Sequence, residues 1–455
     1  MRLVDSTHSA FDPAPDPPAI VPPPQPVYDV KKYGAVGDGV TFDTSALQRA
    51  IDACAGSGGT VYLAGGKFLT APLVLKAGMT FYIDKSAALL GSTRPADYPD
   101  LMPEQTAAQA LRKSVLFADR ADHLILDGGG EIDGQGQSLP MGGKEPLRPS
   151  LLRIFSSTDV TVRNLTLRNP RMWTQVYSEC SGLTIDHVKV FAPHGYCPNL
   201  DGMDICDSDH VTISNCTVEA QDDGICLKSH GTRGLHDIAI RNNTITDFDA
   251  NGIKLGTATH GPMERIRIEN NVIKSARFGG VCIESVDGAH VSDITVHGLE
   301  MTHVCQPIYV RLSHRDPPPN DLQFSNTTRP PAGSIDRVLI ENLRATQPDS
   351  KTSPSCTITG IPDARLGAIV IRNAYVEMPG GLATVPAAPP EHDGQYPQSN
   401  QFGQVPGYAF YVRHAGQVTF DHVTVEPIKP DVRPGLAADD AKISATSCTN
   451  LGVTP

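Results

Sequence analysis

Asp201, in CPNLDGMD, and Asp222-Asp223, in EAQDDGIC, are the residues of this chain best placed to do chemistry. The two clusters stand about one structural repeat apart in a chain that repeats itself. If each repeat is one coil of a β-solenoid, the carboxylates fall on adjacent rungs roughly 4.8 Å apart. Crowded like charges hold at least one proton more tightly, so one carboxyl stays available as an acid beside an ionised neighbour. An acid beside a base is the minimum equipment for cleaving a glycosidic bond. A single Asp-Gly reads equally well as a turn. Three carboxyls at this spacing read as a site.

Periodicity supplies the frame. VTVRN (160–164), LTIDH (183–187), VTISN (211–215), IAIRN (238–242), IRIEN (266–270), ITVHG (294–298), VLIEN (338–342), IVIRN (369–373) and VTFDH (418–422) form one series. Their spacing settles at about 28 residues in mid-chain, and each alternates apolar with polar, the signature of a strand with one buried face. Asn164, Asn215, Asn242, Asn270, Asn342 and Asn373 recur at one phase and are expected to form a hydrogen-bonded ladder between coils.

A second series interleaves: DGMDICD (201–207), DGICLKS (223–229), NGIKLGT (251–257), GGVCIES (279–285) and QPIYVRL (306–312). One parity is apolar throughout: Met203, Ile225, Ile253, Val281 and Ile308, then Ile205, Leu227, Leu255, Ile283 and Val310. The other parity is predicted to face outward on an exposed surface. It holds Asp204, Cys226, Lys254, Cys282 and Tyr309, then Cys206, Lys228, Gly256, Glu284 and Arg311.

The fold predicted is all-β, a right-handed parallel β-helix with an N-terminal capping helix over 44–56, Thr44 serving as its cap. A helix there keeps the open end from pairing with another chain. Residues 1–26 read as an extended Pro-rich arm, 27–428 as a single β-helix domain, and 429–455 as an irregular tail. Pro-rich loops at 314–335 and 380–408 interrupt the series.

Composition excludes several classes. A net charge of −12 argues against nucleic acid as a partner. No apolar run is long enough to cross a membrane. The first residues lack the basic and apolar blocks of an export signal, and a secreted or periplasmic setting is nonetheless expected. The ten cysteines do not make a disulfide scaffold; several fall in predicted strands as small apolar fillers. A monomer is expected.

VYDVKKYGAVGDGVTFDTSALQRAIDAC (27–54) resembles the opening segment of the pectate-lyase-like superfamily. DGGGEIDGQG (127–136), NLDGMD (199–204) and QDDGICLKS (221–229) resemble glycoside hydrolase family 28, which contains polygalacturonases and rhamnogalacturonan hydrolases. The resemblance implies an inverting hydrolase of a pectic poly- or oligosaccharide, needing no metal or other cofactor. It implies Asp222 as general acid, with Asp201 and Asp223 orienting and deprotonating the attacking water.

Two departures stand out. The family's Gly-His-Gly is Ala250-Asn251-Gly252 here, and its Arg-Ile-Lys is Cys282-Ile283-Glu284. Loss of cations that meet a galacturonate carboxylate, with Glu284 added, points to a rhamnogalacturonan-type or modified substrate. Lys228, Lys254 and Arg311 share the outward face and are expected to form a relocated sugar-binding cluster; a surface ion-pair ladder is the alternative. Asn199 and Asn251 are further candidates for substrate binding, as are His194 in a loop and Trp173, the only tryptophan. Two other functions fit the fold. One is a lyase using Lys254 or Arg311 as base and the aspartates as Ca²⁺ ligands. The other is a non-catalytic glycan-binding solenoid.

Overall fold

The computed structural model describes residues 23, 25–102, 113–139, 148–192, 195–316, 329–348 and 355–454. Most of the arm predicted over 1–26 and of the loop over 314–335, and His194, lie outside them. Strand after strand pairs in parallel with the equivalent strand of the next coil, so 33 strands among the described residues join in one continuous ladder. The architecture is a right-handed parallel β-helix.

Both predicted series are strands in the expected register. In the second, Met203 pairs with Ile225, Ile225 with Ile253, Ile253 with Val281 and Val281 with Ile308. All ten apolar residues of that series are buried in the interior. Each such side chain contributes roughly 1.5–3 kcal/mol by leaving water. All ten cysteines are free, and nine are buried, in keeping with a filler role.

The helix Thr44–Cys54 closes the N-terminal end. Ala46, Leu47, Ala50, Ile51 and Cys54 make one buried stripe, packed on the first strands of the solenoid. Its cap position is Asp43, not Thr44. The Asp43 carboxylate accepts from Val36 and Gly37 N–H at 2.6 and 3.0 Å, while Thr44 Oγ1 accepts from Ala71 N–H at 2.8 Å. No helix among the described residues is long and apolar enough to cross a membrane.

Three expectations need correcting. First, the asparagines at the shared phase lie in the left-handed region, at φ from 49° to 60°, and Asn164, Asn215, Asn242 and Asn270 each follow the end of a strand. Asn342 and Asn373 lie within longer strands and bond to each other, but Asn164 and Asn215 donate to Asp127 and Asp186 at 2.8 Å instead. A buried ladder forms one residue later, where Asn243 Nδ2 donates to Asn271 Oδ1 at 3.0 Å. Second, the stretch 429–455 is not irregular. Leu436–Thr446 pairs in parallel with Phe410–Lys429, and Val453–Thr454 pairs with it in turn.

Third, the outward parity of the second series is not exposed. Asp204, Cys226, Lys254, Cys282, Tyr309, Cys206, Lys228, Gly256, Glu284 and Arg311 are all buried. The physical reason is twofold: Trp173 packs over Lys228 and Cys206, and the loop after Gly380 folds across Lys254, Cys282, Tyr309 and Arg311. Phe402 lies 5.2 Å from the Arg311 guanidinium, and Gln401 donates to Tyr309 Oη at 3.0 Å. Phe402 and Val405 pack with Cys282, Tyr309 and Tyr411.

Candidate active site

Successive coils turn the same corner with glycine. Gly202 N–H donates to Asp223 O at 2.9 Å, and Gly224 N–H to Asn251 O at 2.8 Å. A Cβ on Gly202 would meet Gly224 O at 2.5 Å, and one on Gly224 would meet Gly252 O at 2.6 Å. Only glycine lets the backbones stack so closely. The residue before each glycine therefore occupies one column: Asp201, Asp223, Asn251. Asp222 stands beside that column.

One oxygen from each of Asp201, Asp222 and Asp223 lies within 4.8 Å of the other two. These three aspartates, one cluster in the sequence pattern, come together in space. Asp201 and Asp223 are buried, at 3% and 5% exposure, whereas Asp222 is only part-buried and opens the cluster to solvent.

Two buried ammonium groups neutralise the cluster from below. Lys254 Nζ lies 3.2 Å from Asp223 Oδ2. Lys228 Nζ lies 3.3 Å from Asp201 Oδ2 and pairs more closely with Asp204. These lysines are neither a surface ladder nor free sugar ligands; they are counter-ions of the aspartates. Trp173 is no exposed platform either. Its ring centre sits 4.0 Å from Lys228 Nζ, and it packs with Met172, Val176 and Cys206.

The remaining predicted ligands are placed as follows. Asn251 donates to Asp223 Oδ1 at 2.7 Å and accepts from Gly279 N–H and Cys282 Sγ at 2.9 and 3.1 Å. It positions Asp223, and the two departures from the family pattern thus touch each other. Asn199, at φ 62°, accepts from Arg148 Nη2 at 2.8 Å and shapes the turn into Asp201. Arg311 is fully buried and donates to Thr359 Oγ1, Gly360 O and Glu391 O at 3.1, 3.2 and 2.6 Å, anchoring the covering loop rather than meeting solvent. Glu284 is 1% exposed, and its Oε2 has no hydrogen-bond partner.

Environment drives these carboxyls apart. Burial and the neighbouring Asp223 raise the Asp222 pKa above the ordinary carboxylate value, against the pull of Lys254. Burial also works to raise Asp223, but Lys254, Lys228 and the Asn251 amide outweigh it, and its pKa is lowered. Asp201 is raised by burial, then by Asp204 and Asp222. Burial pushes Asp204 up to about 6 and Glu284 up to about 7, against the nearby lysines. A carboxyl that holds its proton more tightly therefore adjoins one that gives it up more readily, an arrangement suited to acid–base chemistry.

Sequence reasoning missed Asp204 as part of this cluster, although its parity placed it on the right face. It also missed Tyr396, whose hydroxyl accepts from Thr257 Oγ1 at 2.8 Å. The Tyr396 ring centre lies 5.7 Å from Lys254 Nζ and 5.9 Å from the Arg315 guanidinium, and the residue is 52% exposed. No repeat marks it, because it comes from the covering loop.

The same residues meet the first requirement of a metal site, converging side-chain donors. Asp201, Asp222 and Asp223, or Asp201, Asp204 and Cys226, could converge on an ion. Calcium wants about six to eight oxygens. Here two ammonium groups already occupy the carboxylates, so the donor set does not suit it.

The sequence profile of glycosyl hydrolases family 28 matches residues 73–349. The chain belongs to that family. A second profile, rhamnogalacturonase A/epimerase, pectate lyase-like, matches residues 27–89. A probable polygalacturonase of Vitis vinifera is 29% identical over 59% of this chain and 59% of its own length. A probable polygalacturonase of Arabidopsis thaliana is 29% identical over 70% of this chain and 67% of its own. The alignment thus takes in about three-fifths to two-thirds of these curated relatives. Among solved structures, a family 28 exopolygalacturonase of Yersinia enterocolitica superposes with a TM-score of 0.71 at 18% identity, over 92% of this chain and 78% of that one. At that identity the family 28 likeness in three dimensions speaks to the β-helix alone.

Proposed function

We propose that this family 28 chain is an inverting glycoside hydrolase acting on a pectic poly- or oligosaccharide. Asp222 donates its proton to the leaving oxygen. Asp223 is the base that takes a proton from the attacking water, and Asp201, whose Oδ1 has no protein partner, orients that water. The observation that carries this reading is the opposite displacement of the adjacent Asp222 and Asp223 titrations. No metal or cofactor enters the scheme.

The altered residues set the substrate. With Glu284 and Cys282 where a uronate carboxylate would meet cations, this position favours a neutral or modified sugar, as in a rhamnogalacturonan-type chain or a modified oligogalacturonide. Such substrates go with a secreted or periplasmic monomer.

The test is Asp222→Asn. It is expected to abolish turnover of the substrate found by screening defined pectic oligosaccharides, with thermal stability retained. Near-full activity would remove Asp222 from the acid role. Release of reducing ends that persists in a chelator, without an ultraviolet-absorbing product, separates hydrolysis from the lyase chemistry. Inverting pairs commonly stand about 6.5–9.5 Å apart and retaining pairs about 5–5.5 Å. The closer oxygens here make proton NMR of the first-formed anomer the decisive stereochemical measurement: an inverted product supports the scheme, and a retained one replaces it with a covalent intermediate.

A further inference from the structure

Arg153 lies in the strand Ser150–Phe155. It shares the outward column of Phe117, Val176 and Asp204, one rung each. Two rungs, about 9.6 Å at the usual strand spacing, separate it from Asp204 toward the N-terminal end. Its side chain is buried, at 4% exposure, and neither Nε nor Nη1 has a hydrogen-bond partner. The walls are apolar: Phe117 and Val176 flank it in the column, and the Phe155 ring centre is 5.8 Å from its guanidinium. Among the described residues no carboxylate stands within ion-pair distance, and Glu179 acts on it only through space.

The other cations near the aspartates are committed. Lys228 and Lys254 pair with Asp201, Asp204 and Asp223, and Arg315 pairs with Asp287. Arg311 holds the covering loop. Arg153 alone of these is buried with neither a hydrogen bond nor an ion pair, an arrangement that costs folding stability and is offset only by the Phe155 ring. Burial even pushes its pKa down to about 10. A planar guanidinium fork is the natural receptor for a carboxylate.

We propose that Arg153 binds the carboxylate of a uronic acid unit of the substrate, two rungs to the N-terminal side of the catalytic cluster. The proposal rests on the pectic reading above and deepens it. Glu284, on the C-terminal side, disfavours a uronate there, so the glycan that fits both positions alternates in charge along its backbone or is modified at one position only.

Calorimetry on the full chain carrying Asp222→Asn reads binding without turnover. The probes are a galacturonic acid tetrasaccharide and its fully methyl-esterified counterpart. Adding Arg153→Met is expected to weaken the acidic tetrasaccharide by about tenfold or more, as for loss of a charged hydrogen bond. The ester should change less than about twofold by the same reasoning. Arg153→Lys should fall between. Thermal stability of Arg153→Met should equal or exceed that of its parent, since an unpaired buried charge is removed. Equal affinity for the acid before and after, equal loss of acid and ester, no binding of the acid by the parent, or a lowered Tm would each overturn the proposal. A wild-type enzyme that binds but never hydrolyses would sink the hydrolase reading and leave this one standing.

Discussion

Lys254→Met tests whether the charge of Asp223 is held by its counter-ion. Nζ and Oδ2 are 3.2 Å apart, and both side chains are almost fully buried. At an effective dielectric near 20, two unit charges so close attract by about 5 kcal/mol. Breaking one side of a buried pair commonly costs about 3–5 kcal/mol. The Asn251 amide and Lys228 remain, so the lower end applies here. At about 1.4 kcal/mol per pH unit, that corresponds to a displacement of about two pH units in the titration of Asp223.

The sign is definite. A base works only when ionised, so activity is present above its pKa and lost as pH falls through it. Asp223 is lowered in the wild type, and removing Lys254 leaves burial, the largest raising influence, less opposed. The acidic limb of kcat/KM against pH should therefore move up by about two pH units, with Lys254→Arg moving it much less. Stability follows the same linkage. In the wild type, Asp223 stabilises the fold above its unfolded pKa of about 3.9, and that stabilisation is lost as pH falls through the lower folded value. The Met variant should thus lose more Tm at neutral than at acidic pH. An acidic limb that stays in place while kcat falls uniformly would refute the reasoning and make Lys254 a packing or substrate contact.

Three other outcomes are expected. Glu284 holds its proton up to about 7 against about 4.3 when unfolded, so it favours the fold most below 4.3 and that contribution is lost as pH rises to about 7. Glu284→Gln should flatten this decline in a Tm-against-pH series, and a decline of unchanged size would place its origin elsewhere. Gly256→Ala puts a Cβ 2.4 Å from Glu284 Oε2 at φ +136°, a strain of roughly 1–3 kcal/mol, and should lower Tm by several degrees. Trp173→Leu removes a ring 4.0 Å from Lys228 Nζ, worth about 2 kcal/mol when desolvated, and should cut kcat by about tenfold or more with KM little changed. A rise in KM alone would instead make Trp173 a sugar contact.

Strand parity tells inside from outside with respect to the coil, and there the reading of Met203 through Val310 needed no revision. Parity does not tell whether an outward side chain meets water. That depends on a loop far away in sequence: Tyr396 reaches Thr257 across 139 residues, and Gln401 reaches Tyr309 across 92. No period links such partners, so Arg311 and Lys254 read as surface groups when the loop in fact covers them, and Lys228 when Trp173 does. Asp204 was in plain view and lacked only its depth. The depth changes the chemistry. In water, Asp201, Asp204, Asp222, Asp223 and Glu284 would all ionise. In the covered site only Lys228 and Lys254 lie among them within the described residues, two positive charges against five acids. Burial forbids the excess negative charge, so protons must stay. Asp223, nearest Lys254, is the one that loses its proton, while Asp201, Asp204, Asp222 and Glu284 are all raised. Of the four whose titrations are raised, Asp222 is the one opening toward solvent, where a leaving oxygen could reach it. The assignment of acid and base thus follows from a shortage of cations in a covered site, and adding one should abolish it. Asp204→Asn, which removes the closest partner of Lys228 and frees that ammonium for Asp201 and Asp222, should lower the Asp222 titration and bring the alkaline limb of kcat/KM to lower pH. An alkaline limb left in place would show that Asp222 is held protonated by its immediate surroundings rather than by the balance of the whole cluster.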